Sequence, residues 1–171
     1  MSCIVLVGMP ACGKSTVGVI LAKTLGKGFI DTDLLIQADQ KLLLQEIIDQ
    51  KGNDYFQQVE RHVLSKLDAA DAVIATGGSA VYYEEAMAHL KSLGQVVYLS
   101  LPLSEIQNRL NNIRTRGITM GPGETLAQLY QRRVPLYQKY ADLTLETRGM
   151  TPEQVVQAIA AAALPGPLRR L

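Results

Sequence analysis

Short apolar runs alternate with longer stretches of helical periodicity along the whole chain. Ile4-Val5-Leu6-Val7 reads as a buried strand, and Val17, Ile20, Leu21 and Leu25 then recur at helical spacing from Thr16 until Gly26 ends the helix. Gly28-Phe29-Ile30-Asp31-Thr32-Asp33 is expected as a second strand finishing in acid. From Leu34 to about Lys66 the pattern is helical in two or three pieces, broken near Gly52 and Asn53; a piece from Tyr55 to Leu67 puts Phe56, Val59, Val63 and Leu67 on its core face. A third strand, Ala72 to Thr76, empties into Gly77-Gly78-Ser79 before a helix starting near Tyr82. The fourth strand, Gln95 to Leu101, stops at Pro102, and Ser104 is placed to cap the helix carrying Ile106, Arg109 and Leu110.

Periodicity fails between residues 111 and 124, where Gly117, Gly121, Pro122 and Gly123 predict a mobile lid. A helix from Thr125 to Tyr140, a fifth strand from Leu143 to Glu146 and a last helix opened by Pro152 complete the pattern. Strands alternating with helices predict a three-layer α/β/α fold with a five-stranded parallel sheet and ligands at the carboxyl ends of the strands. Residues 1–164 read as a single domain and 165–171 as a frayed tail.

Composition narrows the function classes. A chain of 171 residues buries enough surface to fold as one domain without disulfide or metal staples. Seventeen basic residues against sixteen acidic ones give no bulk attraction for nucleic acid or an anionic membrane, so phosphate binding has to be local. Two cysteines, Cys3 and Cys12, make no disulfide framework. No signal-peptide pattern and no apolar run of membrane-spanning length is present, so a cytoplasmic protein is expected, monomeric or weakly homo-oligomeric.

The chemistry centres on Gly8-Met9-Pro10-Ala11-Cys12-Gly13-Lys14-Ser15, followed by Thr16. This is the G-x-x-x-x-G-K-[ST] phosphate loop, with the strand before it and the helix after it that the motif requires. Backbone amides from Ala11 to Thr16 would cradle phosphates at a helix N-terminus, Lys14 would reach the β- and γ-phosphates, and the Ser15 hydroxyl would bind Mg2+. The loop alone does not separate a kinase from a GTPase or a motor ATPase.

Three further sets gather at the predicted strand ends. Asp31 and Asp33 share one face of an extended segment, Asp31 to hold Mg2+ through water and Asp33 to orient or deprotonate an acceptor hydroxyl; a turn and helix cap fits the same pair. Gly77-Gly78-Ser79 offers amides that a carboxylate or hydroxyl could approach closely, or makes a tight turn. Arg109, Arg114 and Arg116 flank the lid and Arg132 and Arg133 follow it; an arginine delivered by the lid would stabilise the charge of a transferred phosphoryl group, while Arg114 and Arg132 could equally be solvated surface. His62 and His89 carry no metal or triad pattern.

Taken together, these residues resemble the shikimate kinases, in the nucleoside-monophosphate-kinase branch of P-loop folds. The resemblance runs from Ile4 to about Ile159 and rests on the phosphate loop, Asp31-Thr32-Asp33, the stretch Gly52 to Glu60, Gly77-Gly78-Ser79, Arg116 in the lid, and Arg133-Val134-Pro135-Leu136-Tyr137 with Ala141-Asp142. It implies ATP and Mg2+ as cofactors, Asp33 as the base contacting acceptor hydroxyls, Arg133 on the acceptor carboxylate and Arg116 beside the transferred phosphate. It also implies that Arg109 and Pro152 sandwich the adenine, with Thr151 beside them. The reaction implied is transfer of the γ-phosphoryl group of ATP to an alcohol of a small acid, shikimate first.

Three departures fall on the acceptor side. Gln57 stands where the family places a carboxylate-binding arginine, Ser79 where it places a third glycine, and Arg116-Gly117-Ile118-Thr119 where the lid reads R-P-L-L. Glu60, one turn beyond Gln57, thereby lacks an arginine partner and could meet an ammonium group instead. Homoserine or another hydroxy acid is the alternative acceptor, and a nucleotide-binding regulatory module without kinase activity the alternative class.

Overall fold

A computed structural model describes residues 3–111 and 118–163 of the chain. Among these residues β1 (Cys3–Val7), β2 (Gly28–Asp31), β3 (Ala72–Ala75), β4 (Gly94–Ser100) and β5 (Leu143–Glu146) form one parallel sheet in the order β2-β3-β1-β4-β5. Val5 pairs with Ile74 on one side and Val96 on the other, and all five residues of β1 are buried. A strand covered on both faces reads as an unbroken apolar run, which is why Ile4 to Val7 announces itself in sequence.

The helices are α1 (Lys14–Leu25), α2 (Thr32–Gln40), α3 (Leu44–Lys51), α4 (Asn53–Ser65), α5 (Glu84–Leu93), α6 (Leu103–Asn111), α7 (Leu126–Tyr140) and α8 (Pro152–Ala163), with a 3₁₀ turn over Ala80–Tyr82 before α5. α1 packs against α8, and α4 against α5. The order of connections reverses at β1: the chain goes to the β2 edge, returns through β3, and then crosses to β4. The loop after β1 therefore opens at the switch point of the sheet, where such folds bind ligands. A smaller cluster of Ile36, Ile47 and Phe56 joins α2, α3 and α4 beside the main core.

Several expectations are corrected. β2 ends at Asp31 rather than Asp33, because the Asp31 carboxylate accepts a hydrogen bond from the Asp33 N–H and caps α2. Asp31 and Asp33 thus share a cap and first turn, not one face of a strand. The buried face of α4 is Phe56, Glu60 and Leu64, so its core stripe is rotated from the expected one; Val59 and Val63 lie half-buried against the smaller cluster, and Leu67 is buried beyond the helix end. Ser104 lies inside α6, whose first turn is closed by the Pro102 carbonyl accepting from Glu105 and Ile106. Thr125 caps α7, its hydroxyl accepting from the Gln128 N–H while the Gln128 side chain accepts from the Thr125 N–H.

Candidate active site

The loop between β1 and α1 is shaped by left-handed backbone at Ala11 (φ 63°) and Gly13 (φ 100°). Ala11 pays a steric penalty there that glycine would not, the kind of local strain found at ligand clamps. Lys14 is buried, and its ammonium donates to the carbonyls of Gly8 at 2.8 Å and Met9 at 2.9 Å, which holds it across the loop it belongs to. Ser15 Oγ donates to Asp31 Oδ2 at 2.7 Å, so the start of α1 and the end of β2 meet. Arg109 reaches back from α6 to donate to the Ala11 carbonyl at 3.2 Å.

A second group lies beyond β3. Gly77 follows the strand, and its N–H donates to Thr32 Oγ1 at 3.3 Å. A Cβ at Gly77 would stand 2.8 Å from Glu60 Oε1 and 2.9 Å from Asp33 Oδ1, so two carboxylates face the same residue from α4 and α2. Glu60 has no exposed surface; its Oε2 accepts from Ser79 Oγ at 2.6 Å and from the Tyr83 hydroxyl at 2.8 Å. Burial pushes its carboxyl up to about 7, outweighing the two hydrogen bonds that oppose the shift, and Asp33 adds to the rise. The Tyr83 hydroxyl is pushed upward by burial and then by Glu60.

Arg133, on α7, is buried as deeply. Its Nε donates to the Tyr82 hydroxyl at 2.9 Å and its Nη2 to the Thr119 carbonyl at 2.9 Å, leaving Nη1 toward Gly78, where a Cβ would stand 2.7 Å from it. One turn further along α7, Tyr137 donates to the Gly78 carbonyl at 2.7 Å. The Gly77-Gly78-Ser79 turn is therefore gripped from α2, α4 and α7 together.

Both groups line one cavity of about 690 Å³. It brings Gly13, Lys14, Ser15, Thr16 and Asp31 at one end together with Asp33, Glu60, Gly77, Gly78, Ser79 and Arg133 at the other. Ala11 and Cys12 belong to the loop without lining the cavity, and Gln57 is half-buried outside it. Thr151 and Pro152 are exposed at the start of α8, where Thr151 exchanges capping hydrogen bonds with Gln154. Arg114 and Arg116 lie outside the described residues, as does the tail after residue 163. Of the remaining expected lid, Thr119 is buried on Arg133 and Ile118 lines the cavity, while Arg132 pairs with Glu124 at 2.9 Å.

Sequence reading missed several lining and supporting groups. Leu34, Leu43, Leu44 and Phe56 form an apolar side of the cavity, and Leu34 and Leu43 are each 60% exposed. Tyr82 and Tyr83 were legible only as neighbours of the glycine turn, and Tyr137 only as the end of the Arg133-to-Tyr137 stretch, with no role attached to it.

Residues 10–163 match the sequence model of the shikimate kinase family. The shikimate kinase of Salinispora arenicola is 40% identical over 159 residues, covering 92% of this chain and 95% of that protein. The enzyme of Sulfurihydrogenibium sp. is 34% identical over 160 residues, covering 93% and 96%. Among solved structures, shikimate kinase from Acinetobacter baumannii in complex with shikimate aligns with a TM-score of 0.84 at 33% identity, covering 95% of this chain and 92% of that one. The phosphate loop at the sheet's switch point, the cavity beside it and these likenesses agree, and the chain belongs to the shikimate kinase family of ATP-dependent phosphotransferases acting on a hydroxyl group.

Proposed function

We propose that this protein transfers the γ-phosphoryl group of ATP to a hydroxyl of a small carboxylate-bearing alcohol, with shikimate as the first acceptor. The observation that carries this reading is the single cavity lined by Lys14, Ser15 and Asp31 at one end and by Asp33 and Arg133 at the other. Lys14 binds the β- and γ-phosphates. Asp33 takes the proton of the attacking hydroxyl as the new P–O bond forms and the bond to the β-phosphate oxygen breaks, releasing ADP. The Nη1 edge of Arg133 meets the acceptor carboxylate, and its other donors, fixed on Tyr82 and Thr119, hold the guanidinium still for that contact.

Ser15 and Asp31 have the chemistry of a hard-cation site, a hydroxyl and a carboxylate 2.7 Å apart at the mouth of the loop. A Mg2+ held by Ser15 and Asp31 would offset the negative charge of the phosphates. Arg109, seated on the loop through Ala11, is assigned to the adenine side with Thr151 and Pro152, and Arg116 to the transferred phosphate. Two free, buried cysteines suit a reducing cytoplasm. Release of ADP measured with shikimate present and absent tests the reading: shikimate-dependent turnover that disappears in Asp33→Asn supports it, and ATP turnover indifferent to every hydroxy acid offered overturns it.

A further inference from the structure

The three carbonyls of the Gly77-Gly78-Ser79 turn are held in two ways. Those of Gly77 and Ser79 accept from main-chain N–H groups, of Ala80 at 3.3 Å and of Tyr82 at 3.0 Å. That of Gly78 accepts instead from a side chain, the Tyr137 hydroxyl at 2.7 Å. Tyr137 is fully buried and does not line the cavity, whereas Gly78 and Ser79 do, so the hydroxyl draws the Gly78 oxygen away from the acceptor end. In a trans peptide the C=O and N–H lie on opposite edges, and the Ser79 N–H edge is therefore turned to the cavity side. The partial positive charge of that edge suits an anionic acceptor.

A reversed Gly78–Ser79 peptide would bring the oxygen to the cavity side, beside Arg133 Nη1, which stands 2.7 Å from where a Gly78 Cβ would lie. There it would occupy the donor proposed for the acceptor carboxylate. Gly78 offers little resistance to the reversal, since it has no Cβ. Ser79 resists it: the residue sits at φ −88°, and the reversal would carry it into positive φ, where a residue with a Cβ is disfavoured. We propose that Tyr137 and Ser79 are positioning residues for the acceptor end, the hydroxyl of one and the Cβ of the other locking the Gly78–Ser79 peptide with its N–H toward the acceptor. The inference rests on the kinase reading above and names what keeps that site in its binding form. Each lock holds the peptide without the other, so the full loss shows only when both are removed.

The test is a double-mutant cycle read from ADP release, with shikimate and ATP each varied. In Tyr137→Phe/Ser79→Gly the KM for shikimate is expected to rise about fivefold or more beyond the product of the two single effects, the scale of coupling between groups that hold one peptide. The KM for ATP is expected to stay that of the wild type. Tyr137→Phe/Ser79→Ala, which loses the same hydroxyls but keeps the Cβ, is expected to show no such excess. Tyr137→Phe retains the ring that stacks on Tyr98 with centroids 5.1 Å apart, and circular dichroism follows the folding of every variant. Single effects that merely multiply, or an equal excess with Ser79→Ala, overturn the inference and leave the kinase reading standing. So does a KM that rises alike for both substrates, or a Tyr137→Phe that does not fold, since the hydroxyl then serves the fold and not the turn. Wild-type protein that turns over ATP without regard to shikimate overturns both.

Discussion

Ser15 Oγ donates to Asp31 Oδ2 at 2.7 Å, and the other oxygen of the same carboxylate accepts from the Asp33 N–H at 3.0 Å. One side chain thus joins the phosphate loop to the turn that carries the proposed base. That carboxylate, together with the sheet, ties the start of α1 to the start of α2.

Asp31→Asn separates these duties. Asparagine caps a helix about as well as aspartate, so α2 and the thermal midpoint should be retained. The lost negative charge should raise the Mg2+ concentration for half-maximal activity about ten- to a hundredfold. Titrating Mg2+ against ADP release checks this, and chelation with EDTA should abolish turnover in the wild type.

Lys14→Ala removes the ammonium proposed to bind the β- and γ-phosphates. Turnover should fall by about two orders of magnitude or more, the scale of losing a charge stabiliser of the transferred group. The far-ultraviolet circular dichroism should be unchanged, since α1 keeps its backbone hydrogen bonds. Near-wild-type turnover contradicts the role proposed for Lys14.

Gly78→Ala places a Cβ 2.7 Å from Arg133 Nη1 and 3.1 Å from Pro10 Cδ. Arg133 is pinned at two other nitrogens and yields poorly, so the edge proposed to meet the acceptor should shift or be covered. The KM for the acceptor should rise about tenfold while that for ATP changes little, a split read from steady-state kinetics.

Glu60 makes stability depend on pH in the direction opposite to an ion-paired acid. Its folded carboxyl titrates near 7 against 4.5 for an unperturbed one, so between those values the folded chain holds a proton that the unfolded chain has lost. The contribution is complete below about pH 4.5 and is lost as the pH rises through about 7. Its full size is about 3 kcal/mol at 1.36 kcal/mol per pKa unit. Urea unfolding of wild type and Glu60→Gln from pH 5 to pH 8 should show wild type losing stability relative to the variant; parallel curves contradict it.

The sheet was legible because its central strands are continuous apolar runs, and the phosphate loop because its glycines and lysine have fixed spacing. The group of residues beyond β3 was legible in part. Asp33 was placed on a strand because apolar patterning does not register a side-chain cap, and here the Asp31 carboxylate ends β2 and starts α2. Glu60 hid the true inner face of α4, since periodicity assigns a charged residue to solvent. Its partners Ser79 and Tyr83 lie 19 and 23 residues away, and no local pattern announces such a contact. Gln57 was assigned to the site through motif position, and it lies outside the cavity.

Arg133 grips residue 119 through the main-chain oxygen, not through the threonine side chain. Recognition of that kind does not read amino-acid identity. The segment next to the cavity can therefore be rewritten, by drift or by design, without surrendering its anchor, and chimaeras that exchange residues 118–120 should keep their docking while the wall they present to the acceptor changes.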